Sequence, residues 1–141
     1  MKTGILVLSL SASLSAGAAH AGQQNFPLQD GVISFSTPTG NIGCTYIPAG
    51  GTDVYAPKDG GPELICDRVE PTYLRFFLYK TGKAKLFRYV GDAGCCPAEN
   101  VLVYGNRWKK GAFTCTSERS GLTCTRGGHG FFVSRTGTRV Y

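Results

Sequence analysis

Phe113-Thr-Cys-Thr-Ser-Glu-Arg-Ser-Gly-Leu-Thr-Cys-Thr125 decides the fold. Near each end an apolar residue or cysteine alternates with threonine, the period-2 pattern of a half-buried strand. Between the two runs lies Ser117-Glu-Arg-Ser-Gly121, which is rich in turn residues. Folding the segment about Arg119–Ser120 makes a β-hairpin and sets Cys115 opposite Cys124. Directly opposed strand residues hold their Cβ atoms about 4.5–5.5 Å apart, within reach of a disulfide. Closing so short a loop stabilises by about 2–3 kcal/mol.

Outward from this hairpin the chain keeps the same character. Tyr73 to Tyr79 and Lys83 to Val90 read as a long hairpin with Thr81-Gly82 at its tip. Leu74, Phe76 and Leu78 fall on one face of its first strand, and Tyr73, Arg75, Phe77 and Tyr79 on the other. Apolar bulk on both faces suits a central strand. Val32–Phe35, Asn41–Ile47, Glu63–Asp67, Val101–Tyr104, Trp108–Thr116, Phe131–Arg135 and Thr138–Tyr141 are further strand candidates. Gly22 to Gln29 reads as a flexible or loosely docked lead-in and Pro48 to Pro62 as a loop. No segment after the N-terminal leader sustains a 3.6-residue apolar period. About nine short strands with turns between them predict an all-β sandwich or small barrel.

The N-terminus has the three parts of a secretion signal: Lys2, an apolar run from Ile5 to Leu14, and the small-residue site Ala19-His-Ala21. Residues 1–21 are therefore expected to be a signal peptide and residues 22–141 one domain. The apolar run is shorter than the roughly 20 residues a membrane helix needs, and no second such run follows. No stable membrane span is expected after cleavage, and the expected location is periplasmic or extracellular. Six cysteines (Cys44, Cys66, Cys95, Cys96, Cys115 and Cys124) in a short exported chain read as a disulfide framework. With Cys115 and Cys124 joined, Cys44 and Cys66 would enclose the Gly/Pro-rich loop. Cys95 and Cys96 would then bond each other, or else divide Cys44 and Cys66 between them. No CxxC spacing or cofactor fingerprint occurs, so neither a metal nor a cofactor is expected.

Charge is unevenly distributed. Residues 22–70 hold two basic residues against six acids, and residues 71–141 hold twelve against three. A basic half can meet an anionic partner such as phosphate, nucleic acid or an acidic polymer, or can simply fold against the acidic half. Arg107-Trp-Lys-Lys110 mixes one aromatic with three cations, a composition that grips single-stranded nucleic acid or glycan, or else buries Trp108 and solvates Arg107, Lys109 and Lys110.

After the leader one histidine remains, His129, in Gly127-Gly-His-Gly-Phe-Phe132. Its glycine-rich setting suggests a tight turn in which the ring bonds to backbone. As a catalytic alternative, His129 joins Glu99 or Glu118 and Arg126 or Arg135 as base, acid and phosphate-binding cation for phosphodiester cleavage. No nucleophile elbow, Walker loop, dinucleotide fingerprint or metalloprotease helix is present.

Ser36-Thr-Pro-Thr-Gly-Asn-Ile-Gly-Cys44, Cys66-Asp67, Tyr104-Gly105, Phe113-Thr-Cys115, Gly121-Leu-Thr-Cys124, Gly128-His-Gly-Phe131 and Ser134-Arg135 together resemble an uncharacterised family of exported bacterial domains. The likeness covers most of residues 22–141. It implies that these Gly, Cys and His positions belong to one shared fold, and it brings no catalytic residue. The chain departs from the pattern at Cys95-Cys96, where separated cysteines are expected. The favoured reading is a binding or structural module of the cell envelope, meeting an envelope protein or an anionic polymer. The alternatives are a small basic hydrolase acting on an anionic polymer such as RNA, and an inhibitor of a secreted enzyme.

Overall fold

A computed structural model describes residue 4, residues 22–96 and residues 98–141. The expected signal peptide lies, but for residue 4, outside the described residues. Eleven strands and no helix occur among them: β1 (Gln23–Gln24), β2 (Ile33–Ser36), β3 (Ile42–Ile47), β4 (Glu63–Arg68), β5 (Leu74–Leu78), β6 (Lys85–Phe87), β7 (Arg107–Lys110), β8 (Phe113–Glu118), β9 (Gly121–Arg126), β10 (His129–Val133) and β11 (Thr138–Val140). They form a five-stranded sheet in the order β2-β3-β4-β5-β6 and a six-stranded sheet in the order β1-β7-β8-β9-β10-β11. Each sheet is a meander joined in sequence order, apart from β1, which pairs parallel with β7. The fold is an all-β sandwich with no closed barrel.

Alternation places one face of each strand in the core. Phe35, Tyr46 and Phe76 of the five-stranded sheet meet Trp108, Phe113 and Phe131 of the six-stranded sheet. Ring centroids are 5.1 Å apart for Phe35–Trp108, 5.6 Å for Tyr46–Phe113 and 4.8 Å for Phe76–Phe131. Cys115 stands opposite Cys124 across β8 and β9, as the hairpin requires, and the two are bonded. Cys44 stands opposite Cys66 across β3 and β4 and is bonded to it. Sγ atoms of both disulfides meet mid-core, those of Cys44, Cys66 and Cys124 lying within 4.8 Å of one another. Oxidised sulfur offers no thiolate, so this grouping does not constitute a metal site.

Two buried arginines tie the sheets together. Arg68, on the core face of β4, donates through Nη1 to the Ser134 carbonyl beyond β10 (3.1 Å) and through Nη2 to the Thr72 carbonyl (3.0 Å). Arg126, on the core face of β9, donates to the carbonyls of Tyr79 (2.8 Å) and Gly82 (2.7 Å) on the β5–β6 turn. Each guanidinium thus reaches from its own sheet to the opposite one. Charge buried this way persists only because backbone oxygens satisfy it.

Four local expectations change. The lead-in is docked: β1 pairs with β7, and the Gln24 side chain donates to the Val101 carbonyl (3.0 Å) and accepts from the Val103 amide (2.8 Å). Val101–Tyr104 is not a strand, because Val101 makes only an isolated bridge to Ser36 while Leu102 plugs the core. Trp108–Thr116 is two strands, since Gly111 takes a positive φ of 56° and turns the chain between β7 and β8. The second strand of the long hairpin is confined to β6, and Tyr89 beyond it is 98% exposed.

Candidate functional site

Register separates the proposed acid–base set. Arg126 pairs with His129 at one end of the β9–β10 hairpin. Gly121 and its partner Glu118 lie at the other end, five residues along β9, or roughly 17 Å at the strand rise. Arg135 follows β10 at that same far end. Glu99 lies elsewhere again, at the outer face of the five-stranded sheet. So Glu118 and Arg135 share one end, His129 and Arg126 the other. The turn before His129 is made by Gly127 and Gly128, with Gly127 at φ 58°, and His129 itself opens β10. Its ring does not bond to backbone as the glycine-rich setting suggested, for Nδ1 is buried without a hydrogen-bond partner.

The Glu118–Arg135 end holds a pocket of about 430 Å³ where the Thr37–Ile42 turn, the β8–β9 turn and the segment after β10 converge. Asn41 braces it, donating to the Glu70 carbonyl (3.0 Å) and accepting from the Glu70 amide (2.7 Å). The Arg119 guanidinium lies 5.1 Å from the centroid of the Tyr104 ring. Glu118 accepts from the Ser120 hydroxyl at 3.3 Å. Cys95 and Cys96, bonded to each other, form part of the wall. That pairing is the first of the two arrangements the sequence left open.

Cations dominate the outward face of the six-stranded sheet. Thr114 opposes Thr125 and Thr116 opposes Thr123, making a two-by-two array of hydroxyls. Lys109 stands beside Thr114 and Arg107 beside Thr116 on β7, while Phe132 and Arg139 continue the Arg107 row across β10 and β11. Arg107, Lys109 and Arg139 are exposed. Among the described residues the ion pairs are those of Arg75 with Asp67 and Asp92, so these three cations are unpaired. Glu118, at the β8–β9 turn, is the acid at the edge of the face. Trp108, between Arg107 and Lys109, points inward and is 1% exposed. The Arg107-Trp-Lys-Lys110 segment therefore presents cations without its aromatic ring.

A charged cluster not singled out from sequence lies on the opposite side of the sandwich. Asp67 and Arg75 project outward from β4 and β5 as direct register partners. Arg75 donates Nε to Asp67 Oδ1 (2.8 Å), Nη2 to Asp67 Oδ2 (2.9 Å) and Nη1 to Asp92 Oδ1 (2.8 Å). These carboxylates hold the guanidinium pKa well above its ordinary value, against the opposing effect of burial. The Tyr73 hydroxyl donates to Asp67, and burial together with that bond raises its pKa. The available signal was a charged residue at strand positions: Asp67 closing Glu63–Asp67, and Arg75 within Tyr73–Tyr79.

Disulfides are present and no helix among the described residues is long and apolar enough to cross a membrane; both are compatible with export. No protein-family model matches the chain, and neither a curated protein nor a solved structure matches it significantly.

Proposed function

We propose that the protein is an exported binding module that holds an anionic polymer of the cell envelope against the outer face of its six-stranded sheet. The observation that carries this is the unpaired set Arg107, Lys109 and Arg139 around the threonine array. Guanidinium and ammonium groups meet phosphate or sulfate oxygens, and threonine hydroxyls donate between them. A sheet face whose strands β7 to β10 are joined by two-residue turns suits a long chain better than a small molecule. Export is supported by the tripartite leader and by the three disulfides. The roughly 17 Å between His129 and the Glu118–Arg135 end weighs against a hydrolase built from those residues.

Titration of the residue 22–141 protein with inorganic polyphosphate and with dextran at stepped salt tests the reading. Polyphosphate is expected to bind with an affinity that falls steeply as salt rises, and dextran is expected not to bind. Equal binding of both polymers, or of neither, refutes the proposal. RNA incubated alongside provides the hydrolase control: its cleavage would replace this reading.

A further inference from the structure

The outward face of the six-stranded sheet carries more than charge. Register sets two neighbouring rows across β7 to β11. One reads Arg107, Thr116, Thr123, Phe132, Arg139. The next reads Lys109, Thr114, Thr125, Gly130, Tyr141, the last two joined by reciprocal backbone hydrogen bonds of 2.9 Å. Each row starts at a cation, passes two hydroxyls and reaches an aromatic ring. The backbones of Arg107 and Arg139 stand four strand spacings apart, about 19 Å, longer than a single sugar or nucleotide.

The two rings are held low on this face. A Cβ on Gly121 would lie 2.7 Å from both Cε2 and Cζ of Phe132, so the Phe132 ring leans diagonally along the sheet over Gly121. Both Phe132 and Tyr141 are half-buried. The Arg139 guanidinium lies 5.1 Å from the centroid of the Tyr141 ring. Stacking against a ring steadies that cation while leaving its in-plane N–H donors free. Among the described residues no carboxylate takes them.

From these rows we infer that the polymer is an acidic polysaccharide built of carboxylate-bearing sugar rings. The inference rests on the polymer-binding reading and narrows its ligand. Each threonine hydroxyl both donates and accepts. Sugar hydroxyls use both capacities, whereas ionised phosphate oxygens only accept. The C–H face of a pyranose is apolar and covers an aromatic ring, and polyphosphate has no such surface. The planar forks of Arg107 and Arg139 match a planar carboxylate bidentately. Single-stranded nucleic acid also combines rings with anions, but its bases stack on open aromatic faces. Here both rings are half-buried and one already lies against Arg139.

Titration of the residue 22–141 protein with polygalacturonate at stepped salt is the test, with polyphosphate, polyacrylate and oligothymidylate as parallel arms. Polyacrylate is a carboxylate polymer with neither ring nor hydroxyl. Polygalacturonate is expected to keep measurable affinity at salt that abolishes binding of polyphosphate and polyacrylate. Phe132→Leu and Tyr141→Leu are each expected to weaken polygalacturonate by about fivefold, the worth of one aromatic contact. Both are expected to leave polyphosphate affinity unchanged, with the unfolding temperature reporting an intact fold. Arg139→Gln is expected to weaken both polymers. If polyphosphate binds and polygalacturonate does no better than polyacrylate, the inference is overturned while the polymer reading stands. The same holds if neither ring variant lowers polygalacturonate affinity. If no polyanion binds, the polymer reading itself fails and the inference with it. Tighter binding of oligothymidylate, lost in Phe132→Leu, would put nucleic acid in place of polysaccharide.

Discussion

The outward rows of the six-stranded sheet carry threonines and exposed cations with Phe132 among them, whereas those of the five-stranded sheet carry Ser34, Thr45, Ile65 and Phe77 beside the Asp67–Arg75 pair and line a cleft. Connection length accounts for much of the difference. β7–β8, β8–β9 and β9–β10 are joined by two residues each, tight hairpins that leave their sheet bare. β3–β4 is joined by the fifteen residues 48–62, enough chain to fold back over its own sheet. Because each sheet is a sequential meander, the acidic stretch of residues 33–70 falls in the five-stranded sheet and the basic stretch of residues 107–141 in the six-stranded one, while β5 and β6 bring further cations to the first. Alternation hides one residue in two inside the core and leaves the other free to set surface chemistry. One core therefore supports two unlike faces.

The largest effects expected from breaking this comparison are on the staples. Cys44→Ala with Cys66→Ala should cost roughly 3 kcal/mol in urea unfolding. Cys115→Ala with Cys124→Ala should cost about 0.7 kcal/mol less, because that bond closes a separation of 9 residues rather than 22. A larger loss from the second pair would mean that core packing, and not chain closure, governs the two sheets.

Next in size is the charge of the open face. Arg107→Glu with Lys109→Glu should lower polyphosphate affinity by about 100-fold at low salt and flatten its salt dependence. Lys58→Glu, on the β3–β4 loop, should change neither. If both variants act alike, net charge and not the threonine face is what the polymer senses.

Gly43 sharpens the difference from the other side. A Cβ there would lie 2.6 Å from Cys96 Cβ and 2.9 Å from Cys95 Sγ. Gly43→Ala should therefore displace Cys95 and Cys96 at a cost of about 2 kcal/mol, while leaving polyphosphate binding intact. Proteolysis between residues 91 and 100 should become faster, and an unchanged cleavage rate would argue against that close approach.

The smallest effect concerns Glu63. Burial raises its carboxyl pKa above the ordinary value, Asp59 adds to the rise and the Tyr55 hydrogen bond partly offsets it. The unfolded chain therefore ionises first as pH rises. Stability linked to Glu63 is complete below the unfolded carboxylate value, roughly 4.3, and is lost as pH climbs through the folded one. Glu63→Gln should gain on the parent by about 1 kcal/mol between pH 4 and pH 8. Parallel urea stabilities across that range would dismiss the assignment.

Much of the sandwich was legible because its signals are local. Thr-Cys-Thr repeated about a turn specifies the β8–β9 hairpin and its disulfide, and Cys44 and Cys66 fall opposite each other once the loop between them closes. What was missed depends on partners far along the chain. Gln23 and Gln24 carry no strand preference and are ordered by β7 and by Val101 and Val103. Val101–Tyr104 has strand composition, yet Val103 is 44% exposed and only Leu102 enters the core. The Asp67–Arg75–Asp92 cluster needs the β4–β5 register before its members are neighbours. Glu118 and Arg135 could be nominated by residue type, but their separation from His129 follows from strand direction, which composition does not encode.

The crossed guanidinium ties have a mechanical consequence. Arg68 grips the opposite sheet at one end of the sandwich and Arg126 grips it at the other. A sliding or twisting motion of one sheet over the other would strip at least one buried cation of its oxygens. The ties therefore oppose any change in the separation of the two outer surfaces, set by a core about 10 Å thick, or in the angle between them. Whatever each surface carries is presented back to back with what the other carries, as on the two sides of a rigid tile.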